Sequence, residues 1–326
     1  MELYSSIDNI PPLSHCVITL GSFDGLHYGH KHIISKVQEE ARTRQVPSVL
    51  ITFSPHPKEV LFKDKDVPVE LLTTVEEKTD ILRSEFDLDY VIILPFTEHF
   101  SRISALEFLE EYLINPFAPD EIIIGYDHHF GRGREGDARF LKDHEDQYGY
   151  QTIAMEAVGL AGDDMISSSH IRSYLNEGNT LQAIKYLTRP YRMAGVVQEG
   201  EKRGHELDFP TANVVSRNRH KLIPGDGVYL VYVTGEEEEG YGMCNIGSRP
   251  TFTDGRHTVE VHILHSVERS LYGCTLTMHF FHRLRDEQKF ASPEDLVEQL
   301  SKDKQQCEHI IADEHPWKQY QKELVA

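Results

Sequence analysis

The stretch VITLGSFDGLHYGHKHII, residues 17–34, decides how the first half of the chain folds. Four residues with high strand propensity, VITL, run into the turn GSFDG, and a helical pattern follows. Further apolar runs repeat the strand signal: SVLITF, YVIILPF, EIIIGY and QTIAM. Strands that alternate with helices predict a parallel sheet covered by helices on both faces, which is a doubly wound α/β domain.

Helical patterns fill the intervals between these strands. They lie at about residues 31–43 and in TTVEEKTDILRSEF, SALEFLEEYLI and DARFLKDHEDQ. Thr74 with Glu77, and Ser104 with Glu107, have the spacing of capping boxes and predict where two helices begin. Ligands of such sheets bind beyond the carboxyl ends of the strands, which is where the GSFDG turn would lie.

Two histidines, His27 and His30, stand at the start of the first helix. Free N–H groups and the helix macrodipole favour an anion there, and Gly21, Gly25 and Gly29 let the chain turn tightly and a ligand approach closely. Two imidazoles on one face can bind phosphate oxygens and stabilise charge that develops at phosphorus. The alternative is structural, with one histidine capping the helix and the other on the surface.

A second motif, ISSSHIR at residues 166–172, has the same character. Ser168 and Ser169 supply hydroxyls where a helix would begin, and Arg172 follows within one turn. By itself this motif is an ordinary helix cap. Together with the two histidines, it predicts a site for a triphosphate.

The pattern of the sequence changes after Arg189 and Pro190, where the alternation of strand and helix signals ends. Short strand-like runs separated by Gly, Pro and Asp clusters predict antiparallel β structure, in the form of a small barrel. The runs are YRMAGVVQ, GVYLVYV, YGMCNIG, TVEVHIL and TLTMHFFHRL. A last helix is predicted at about residues 293–313. We therefore expect two domains, of residues 1–187 and 188–326.

The chain is strongly acidic, since 33 basic against 53 acidic residues give a formal net charge of −20. Such a chain repels a phosphate backbone, so we expect no nucleic-acid partner. No apolar run approaches the ~20 residues of a membrane helix, and no leader pattern opens the sequence, so we expect no membrane partner and a cytoplasmic location. The scattered cysteines lack zinc spacing and are interpreted as structural thiols: Cys16, Cys244, Cys274 and Cys307.

Four motifs together resemble the adenylyltransferase module of the bacterial bifunctional riboflavin kinase/FAD synthetases. These are LGSFDGLHYGHKHII, TFSPHP, IIIGYDHHFGRGREGD and ISSSHIR, in that family's order and spacing. The resemblance extends over nearly the whole chain. It implies a Rossmann-like nucleotidyltransferase domain in which the phosphate of FMN attacks the α-phosphorus of ATP. The products are FAD and pyrophosphate, and Mg²⁺ would bridge phosphates.

The resemblance also implies which residues form the adenylyltransferase site. Those at the ATP phosphates are His27, His30, Ser168, Ser169 and Arg172, of which the two histidines and the arginine are catalytic. The other ATP-binding residues are Gly21, Phe23, Asp24, Gly25 and Asp127. Pro55, His56 and Pro57 would shape the flavin-side wall, or form a structural turn only. The family has an aromatic residue after the position of Asp127, where this chain has His128 and His129.

A second site is indicated by VVQEGEKRGHELDFPTANV, residues 196–214. A Gly-bearing loop between strands, followed by Pro-Thr-Ala-Asn, can present backbone N–H groups beside the side-chain oxygens of Thr211 and Asn213. Mg²⁺ prefers such hard oxygen ligands together with substrate phosphates. The structural alternative is a β-turn with an Asn suited to left-handed geometry.

The later strand-like runs and LRDEQKF follow in the order that riboflavin kinase domains have. This resemblance implies a six-stranded antiparallel barrel in which Thr211 and Asn213 bind Mg·ATP. The phosphate loop would comprise Gly200, Gly204, Pro210, Thr211 and Asn213. Glu260 would be the base that accepts the proton of the ribityl 5′-hydroxyl as that oxygen attacks the γ-phosphorus. Otherwise Glu260 is an exposed strand residue. The family has Arg and Gly where this chain has His205 and Asp208.

Three hypotheses follow for the function of the whole chain. In the first, it converts riboflavin and ATP to FMN, and then FMN and ATP to FAD. In the second, the loop that carries His205 and Asp208 weakens or silences the kinase, which leaves an FMN adenylyltransferase. In the third, the chain is a flavin- or nucleotide-binding sensor without turnover. A protein without turnover has no physical need for five such residues together, which argues against the third hypothesis: His27, His30, Ser169, Arg172 and Glu260.

Overall fold

The computed structural model describes residues 1–11, 13–65, 68–159, 165–199, 209–236, 238–248, 257–265 and 270–325. Within these residues the chain forms two compact units, Met1–Ser168 and Ser169–Ala326. The segment just after Ser168 belongs to the second unit because its helix Thr180–Leu187 packs on the barrel, where Thr180 Oγ1 donates to the Phe281 carbonyl at 2.7 Å. The boundary expected between residues 187 and 188 stays a prediction.

The first unit is built on a six-stranded parallel sheet in the order β1-β4-β3-β2-β5-β6. Its strands are β1 Glu2–Tyr4, β2 Val17–Leu20, β3 Ser48–Ser54, β4 Tyr90–Pro95, β5 Glu121–Gly125 and β6 Gln151–Met155. The strands from β2 to β6 coincide with the apolar runs of the sequence. Strand β1 has only three residues, too few to give a pattern, and the sequence analysis does not identify it.

Helices cover both faces of this sheet, which confirms the doubly wound prediction. They are α1 Tyr28–Arg44, α2 Pro57–Leu61, α3 Val75–Glu85, α4 Ala105–Phe108, a π-helical segment Leu109–Ile114, α5 Asn115–Phe117, α6 Ala138–Asp143 and α7 Glu145–Tyr148. Alternate residues of β2 point to opposite faces. Ile18 packs in a core with Phe108, and Val17 packs in a separate core with Ile34 of α1.

The start of α3 is a complete capping box, as its sequence predicts. Thr74 Oγ1 accepts from Glu77 N at 3.3 Å, and Glu77 Oε2 accepts from Thr74 N at 3.0 Å. At the start of α4, Ser104 Oγ accepts from Glu107 N at 3.1 Å. Both helices therefore begin where the serine or threonine caps were expected.

The second unit contains a closed antiparallel barrel in the order β10-β11-β8-β7-β12-β9. Its strands are β7 Tyr191–Gln198, β8 Ala212–Val215, β9 Gly227–Gly235, β10 Glu239–Ser248, β11 His257–Ile263 and β12 Thr275–Arg285. The six-stranded barrel implied by the family resemblance is confirmed. Strand β8 lies in the PTANV segment and is short, so its apolar pattern is too weak to mark it as a strand.

Helices complete the second unit. They are α8 Ser168–Asn176, whose first residue closes the first unit, α9 Thr180–Leu187, α10 Pro293–Glu314 and α11 Pro316–Val325. Helix α10 is fixed to the barrel by the buried Asp303, whose two oxygens accept from Arg285 Nε at 3.0 Å. Helix α11 extends beyond the predicted terminal helix, and its Trp317 stacks on Tyr232 with 4.3 Å between ring centroids.

Two further expectations from the sequence concern membrane-spanning helices and the cysteines. Among the described helices, none combines the length and the apolar character that crossing a membrane requires. Cys16, Cys244 and Cys307 are buried thiols, and burial raises the pKa of the Cys307 thiol to about 12. These three cysteines are therefore placed as structural thiols would be.

Candidate active sites

The turn after β2 has a backbone conformation that needs support from its surroundings. Phe23 has φ 46°, Gly25 has φ 83° and Leu26 has φ 42°, all in the left-handed region. A residue other than glycine in that region costs about 1–3 kcal/mol, so contacts elsewhere must hold the turn in place. Gly21 packs closely on the same turn, since a Cβ at this position would lie 3.2 Å from the Phe23 ring.

Asp24 supplies part of that support. Its carboxylate is 2% exposed and accepts hydrogen bonds from Leu72 N at 3.2 Å and from Thr73 N at 3.0 Å. Thr73 Oγ1 in turn accepts from Gly25 N at 3.0 Å. The turn is thereby fastened to the segment that leads into α3. The implied contact of Asp24 with ATP stays a prediction.

The two histidines form one unit at the start of α1. His27 is the N-cap residue, yet its side chain makes no capping hydrogen bond, which disfavours the purely structural interpretation. Its ring stacks on that of His30 with 3.7 Å between centroids and 19° between planes. The rings of Phe23 and His30 are in a T-shaped arrangement with 5.3 Å between centroids. Gly29 leaves room for this stack, because a Cβ there would lie 3.3 Å from the His27 ring.

The serines and the arginine of the second motif lie at the start of α8. Ser168 Oγ donates to the Asp24 carbonyl at 3.0 Å, so the structure brings this residue to the turn. Ser169 and Arg172 follow within the first turn of α8 and belong to the second compact unit. Their contacts with ATP stay predictions.

The loop after β5 carries Asp127, which is exposed, and then His128 and His129. Burial is the main cause that lowers the pKa of His128 to about 4, so its imidazole is neutral at physiological pH. Its ring is nearly parallel to that of Phe130, with centroids 6.2 Å apart. A neutral ring packed on an aromatic neighbour can serve where the family has an aromatic residue. The nucleotide contact of Asp127 stays a prediction.

The segment Pro55, His56 and Pro57 has a clear structural role. His56 is the N-cap of α2, where its Nδ1 accepts from Lys58 N at 3.1 Å and Glu59 Oε1 accepts from His56 N at 2.8 Å. Pro57 is the first residue of that helix, a position at which proline is common because its fixed φ suits the helix. The structure thus shows the turn, and the flavin-side wall stays a prediction.

In the second unit, the structure brings Thr211, Asn213 and Glu260 together. Glu260 of β11 lies directly opposite Asn213 of β8 in the antiparallel ladder, so both side chains project from the same face of the sheet. Thr211 Oγ1 donates to Glu260 Oε2 at 3.4 Å. These residues combine hydroxyl, amide and carboxylate oxygens, a donor set that suits Mg²⁺. Within the described residues, no group of three His, Cys, Asp or Glu side chains could hold a metal ion.

Pro210 is held in place beside this group. The His262 ring, also on β11, bonds through Nδ1 to the Pro210 carbonyl at 2.9 Å. Its centroid lies 5.2 Å from that of the Phe209 ring, in a T-shaped arrangement. A carbonyl only accepts, so Nδ1 carries the hydrogen. The other residues of the expected phosphate loop and its two departures lie outside the described residues: Gly200, Gly204, His205 and Asp208.

Sequence reasoning missed the residues that support the two sites. Thr73 and Lys78 hold the turn after β2, and His262 holds Pro210. Only the spacing of LLTTVEEK hinted at the first two, through the capping box, and nothing in the local pattern linked that segment to a turn about 50 residues earlier. Such contacts arise from the order of strands in the sheet.

Comparison with known proteins matches both units to named families. The family model described as FAD synthetase matches residues 10–170, and the one described as Riboflavin kinase matches residues 187–311. The chain belongs to the bifunctional riboflavin kinase/FMN adenylyltransferase family. A relative of that name from Escherichia coli K12 is 35% identical, over 93% of this chain and 96% of the relative. Its counterpart in Bacillus subtilis is 33% identical, over 89% and 91% of the two chains.

A solved structure has a fold similar to that of this chain. A crystal structure described as a macrolide-efflux protein from Streptococcus pneumoniae has a TM-score of 0.82 and 29% sequence identity. The match covers 96% of this chain and 98% of that one. The likeness to that structure therefore extends over nearly the whole length of both chains.

Proposed function

We propose that this protein makes FAD from riboflavin in two ATP-dependent steps, one in each unit. The second unit phosphorylates riboflavin to FMN, and the first transfers the adenylyl group of ATP to FMN. The observation that carries this proposal is the stacked pair His27 and His30 on a braced, strained turn at a helix N-terminus. The grouping of Thr211, Asn213 and Glu260 supports the kinase step.

In the adenylyl transfer, a phosphate oxygen of FMN attacks the α-phosphorus of ATP. The bond from that phosphorus to the bridging oxygen breaks, and pyrophosphate leaves with the electron pair. The attacking phosphate is already anionic, so no general base is needed. The work of His27, His30, Ser168, Ser169 and Arg172 is then to bind the phosphates, align the reacting groups and stabilise the charge that develops.

In the kinase step, the ribityl 5′-hydroxyl of riboflavin attacks the γ-phosphorus of ATP and loses its proton. The bond from that phosphorus to the bridging oxygen breaks, and ADP leaves with the electron pair. Glu260 accepts this proton, since an alcohol needs a base that a phosphate does not. Thr211 and Asn213 would hold Mg²⁺, which when bound neutralises charge on the ATP phosphates. The Thr211 hydroxyl bonded to Glu260 keeps the carboxylate beside these oxygen donors.

Two separate incubations of the full chain with Mg·ATP test the proposal. One receives riboflavin and the other FMN, and the flavins are resolved by chromatography. We expect FMN and then FAD from riboflavin, and FAD directly from FMN. If the FMN incubation gives FAD but the riboflavin incubation gives no product, the kinase is inactive. The loop that carries His205 and Asp208 would then be the first place to examine. No product in either tube would refute both activities.

The same proposal covers ligands and location. Support for Mg²⁺ comes from the oxygen donors of Thr211 and Asn213, and a titration of both activities with EDTA tests it. Buried free thiols support a reducing compartment, which is the cytoplasm. The net charge of −20 supports small-molecule substrates and opposes binding to nucleic acid.

A further inference from the structure

A buried lysine lies directly behind the turn that carries the two histidines. Lys78, on α3, is 4% exposed. Its Nζ donates to the Ser22 carbonyl at 2.5 Å and to Thr52 Oγ1 at 3.0 Å. Thr52, fully buried on β3, donates to the same Ser22 carbonyl at 3.2 Å. One carbonyl of the turn is thus held by two side chains from two different elements.

We propose that Lys78 is a positioning residue for adenylyl transfer, whose ammonium group fixes the Ser22 carbonyl and thereby the turn that presents His27 and His30. The inference rests on the proposed function of the first unit. Ser22 immediately precedes Phe23, the first of the residues in left-handed conformation, so a shift of its carbonyl is transmitted to the strained part of the turn. Asp24 and Thr73 fix the other side of the same turn.

The buried charge of Lys78 lowers the stability of the fold. A residue with a purely structural role would raise it, so the two roles can be told apart by experiment. The carbonyl and hydroxyl partners of Lys78 are neutral, and burial is the main effect on its pKa, lowering it to about 8. Two acidic groups, Asp24 of the turn and Glu59 of α2, act in the opposite direction and raise it, but do not offset burial. A buried ammonium that lacks full compensation destabilises a protein. A methionine of similar length would remove that cost.

The placement of the positive charge agrees with this role. A cation behind the turn raises the electrostatic potential at the N-terminus of α1, where phosphates are expected to bind. Removing it should therefore impair both the alignment of the histidines and the local attraction for phosphate. Misplacement of about 1 Å at a reacting centre can cost roughly a hundredfold in rate.

The test uses the full chain with Lys78→Met, followed by steady-state kinetics of FAD formation from FMN and by thermal unfolding. We expect kcat to fall roughly ten- to hundredfold, with a smaller change in KM for ATP, while the melting temperature stays equal or rises. Riboflavin phosphorylation by the same variant should be unchanged. A kcat within twofold of the wild type, or a kcat loss that accompanies a lower melting temperature, would overturn the inference.

Arg44→Met is the matched control. Arg44, the last residue of α1, contacts the buried Glu121 at the amino end of the sheet, away from the turn. This variant also removes a long cation, but it leaves a buried carboxylate without its arginine, so we expect lower stability and a normal kcat. A kcat loss equal to that of Lys78→Met would refute a role specific to Lys78.

Thr52→Val is a second, smaller change at the same carbonyl. It removes the hydroxyl that donates to Ser22 and accepts from Lys78. If both residues act through the Ser22 carbonyl, the kcat losses of Thr52→Val and Lys78→Met are not additive in the double variant, whereas independent effects would multiply. Multiplicative losses would refute the shared route.

A wild type that makes no FAD would refute the proposed function itself, which is a different result from an inactive variant beside an active wild type.

Discussion

Within the described residues, the turn at the adenylyltransferase site and the residue group at the kinase site differ in burial. The turn Gly21–Leu26 is bound on several sides by buried groups, among them the Asp24 carboxylate, Thr73 and Lys78. The kinase group stands on the face of a barrel. Thr211 is exposed there, and its hydrogen bond to Glu260 is 3.4 Å long.

This difference follows the chemistry that each site is proposed to perform. Adenylyl transfer to an anionic phosphate requires no proton acceptor, so alignment and charge stabilisation must supply the rate, and a rigid turn provides both. Phosphorylation of an alcohol uses a base, and Glu260 can act once ATP and riboflavin have brought the reacting oxygen to it. Substitutions should therefore affect the two sites differently.

The largest effect is expected when both histidines are removed. His27→Ala combined with His30→Ala should lower kcat/KM for FAD formation by at least about a thousandfold, because both imidazoles at the phosphates are lost. Chromatographic assays of FMN to FAD measure this directly. The same protein should still convert riboflavin to FMN, which shows that the barrel remains folded. FAD formation at the wild-type rate would refute the assignment of this site.

The corresponding change in the barrel is Glu260→Gln. The amide can still accept the Thr211 hydrogen bond but cannot act as a base, so riboflavin phosphorylation should fall by roughly 10²–10⁴. The rate of FAD formation from added FMN is the control and should not change. If phosphorylation survives in this variant, Glu260 is the exposed strand residue of the alternative interpretation.

The sequence predicted most of both folds because long periodic runs dominate them. The buried strands from β2 to β6, helix α1 and the barrel strands with alternating patterns all lie where their runs indicated. Strand β1 was missed because its three residues give no pattern. Strand β8 was missed because its four residues, ANVV, include the polar Asn213 and do not form a continuous apolar run like the VITL of β2. Helix α11 was missed because it follows directly on α10, after His315 in left-handed conformation.

The sequence predicted only those site residues that belong to local motifs. Local spacing identified His27, His30, Thr211 and Asn213. The turn is held by residues 30 to 56 positions away in sequence. They meet it only when β2 and β3 pair in the sheet and α3 packs against them. No property of Lys78 in the sequence marks it as buried rather than as one of many surface lysines.

Lys78 also makes the stability of the first unit depend on pH. Its pKa is about 8 in the folded protein and has an ordinary value of 10.5. Between these values the unfolded chain binds more protons than the folded one, so the free energy of unfolding rises with pH. At about 1.4 kcal/mol per unit, the full gain is roughly 3 kcal/mol.

Denaturant unfolding of the wild type and of Lys78→Met, at pH values from 7.5 to 10.5, measures this gain as a difference between the two proteins. Taking the difference removes the contribution of tyrosines and cysteines that titrate in the same range. We expect the wild type to gain stability relative to the variant as pH rises. A constant difference would mean that Lys78 is not buried as a charged group.

The smallest effect should come from His262, which braces the kinase site by one hydrogen bond. His262→Phe keeps a ring against Phe209 but removes the N–H that donates to the Pro210 carbonyl. Because one exposed bond contributes about 1 kcal/mol, the KM for ATP in riboflavin phosphorylation should rise only several-fold, with kcat nearly unchanged. A hundredfold loss of kcat would show that the barrel site is as dependent on its surroundings as the turn that carries the histidines, and the contrast between the two sites would fail.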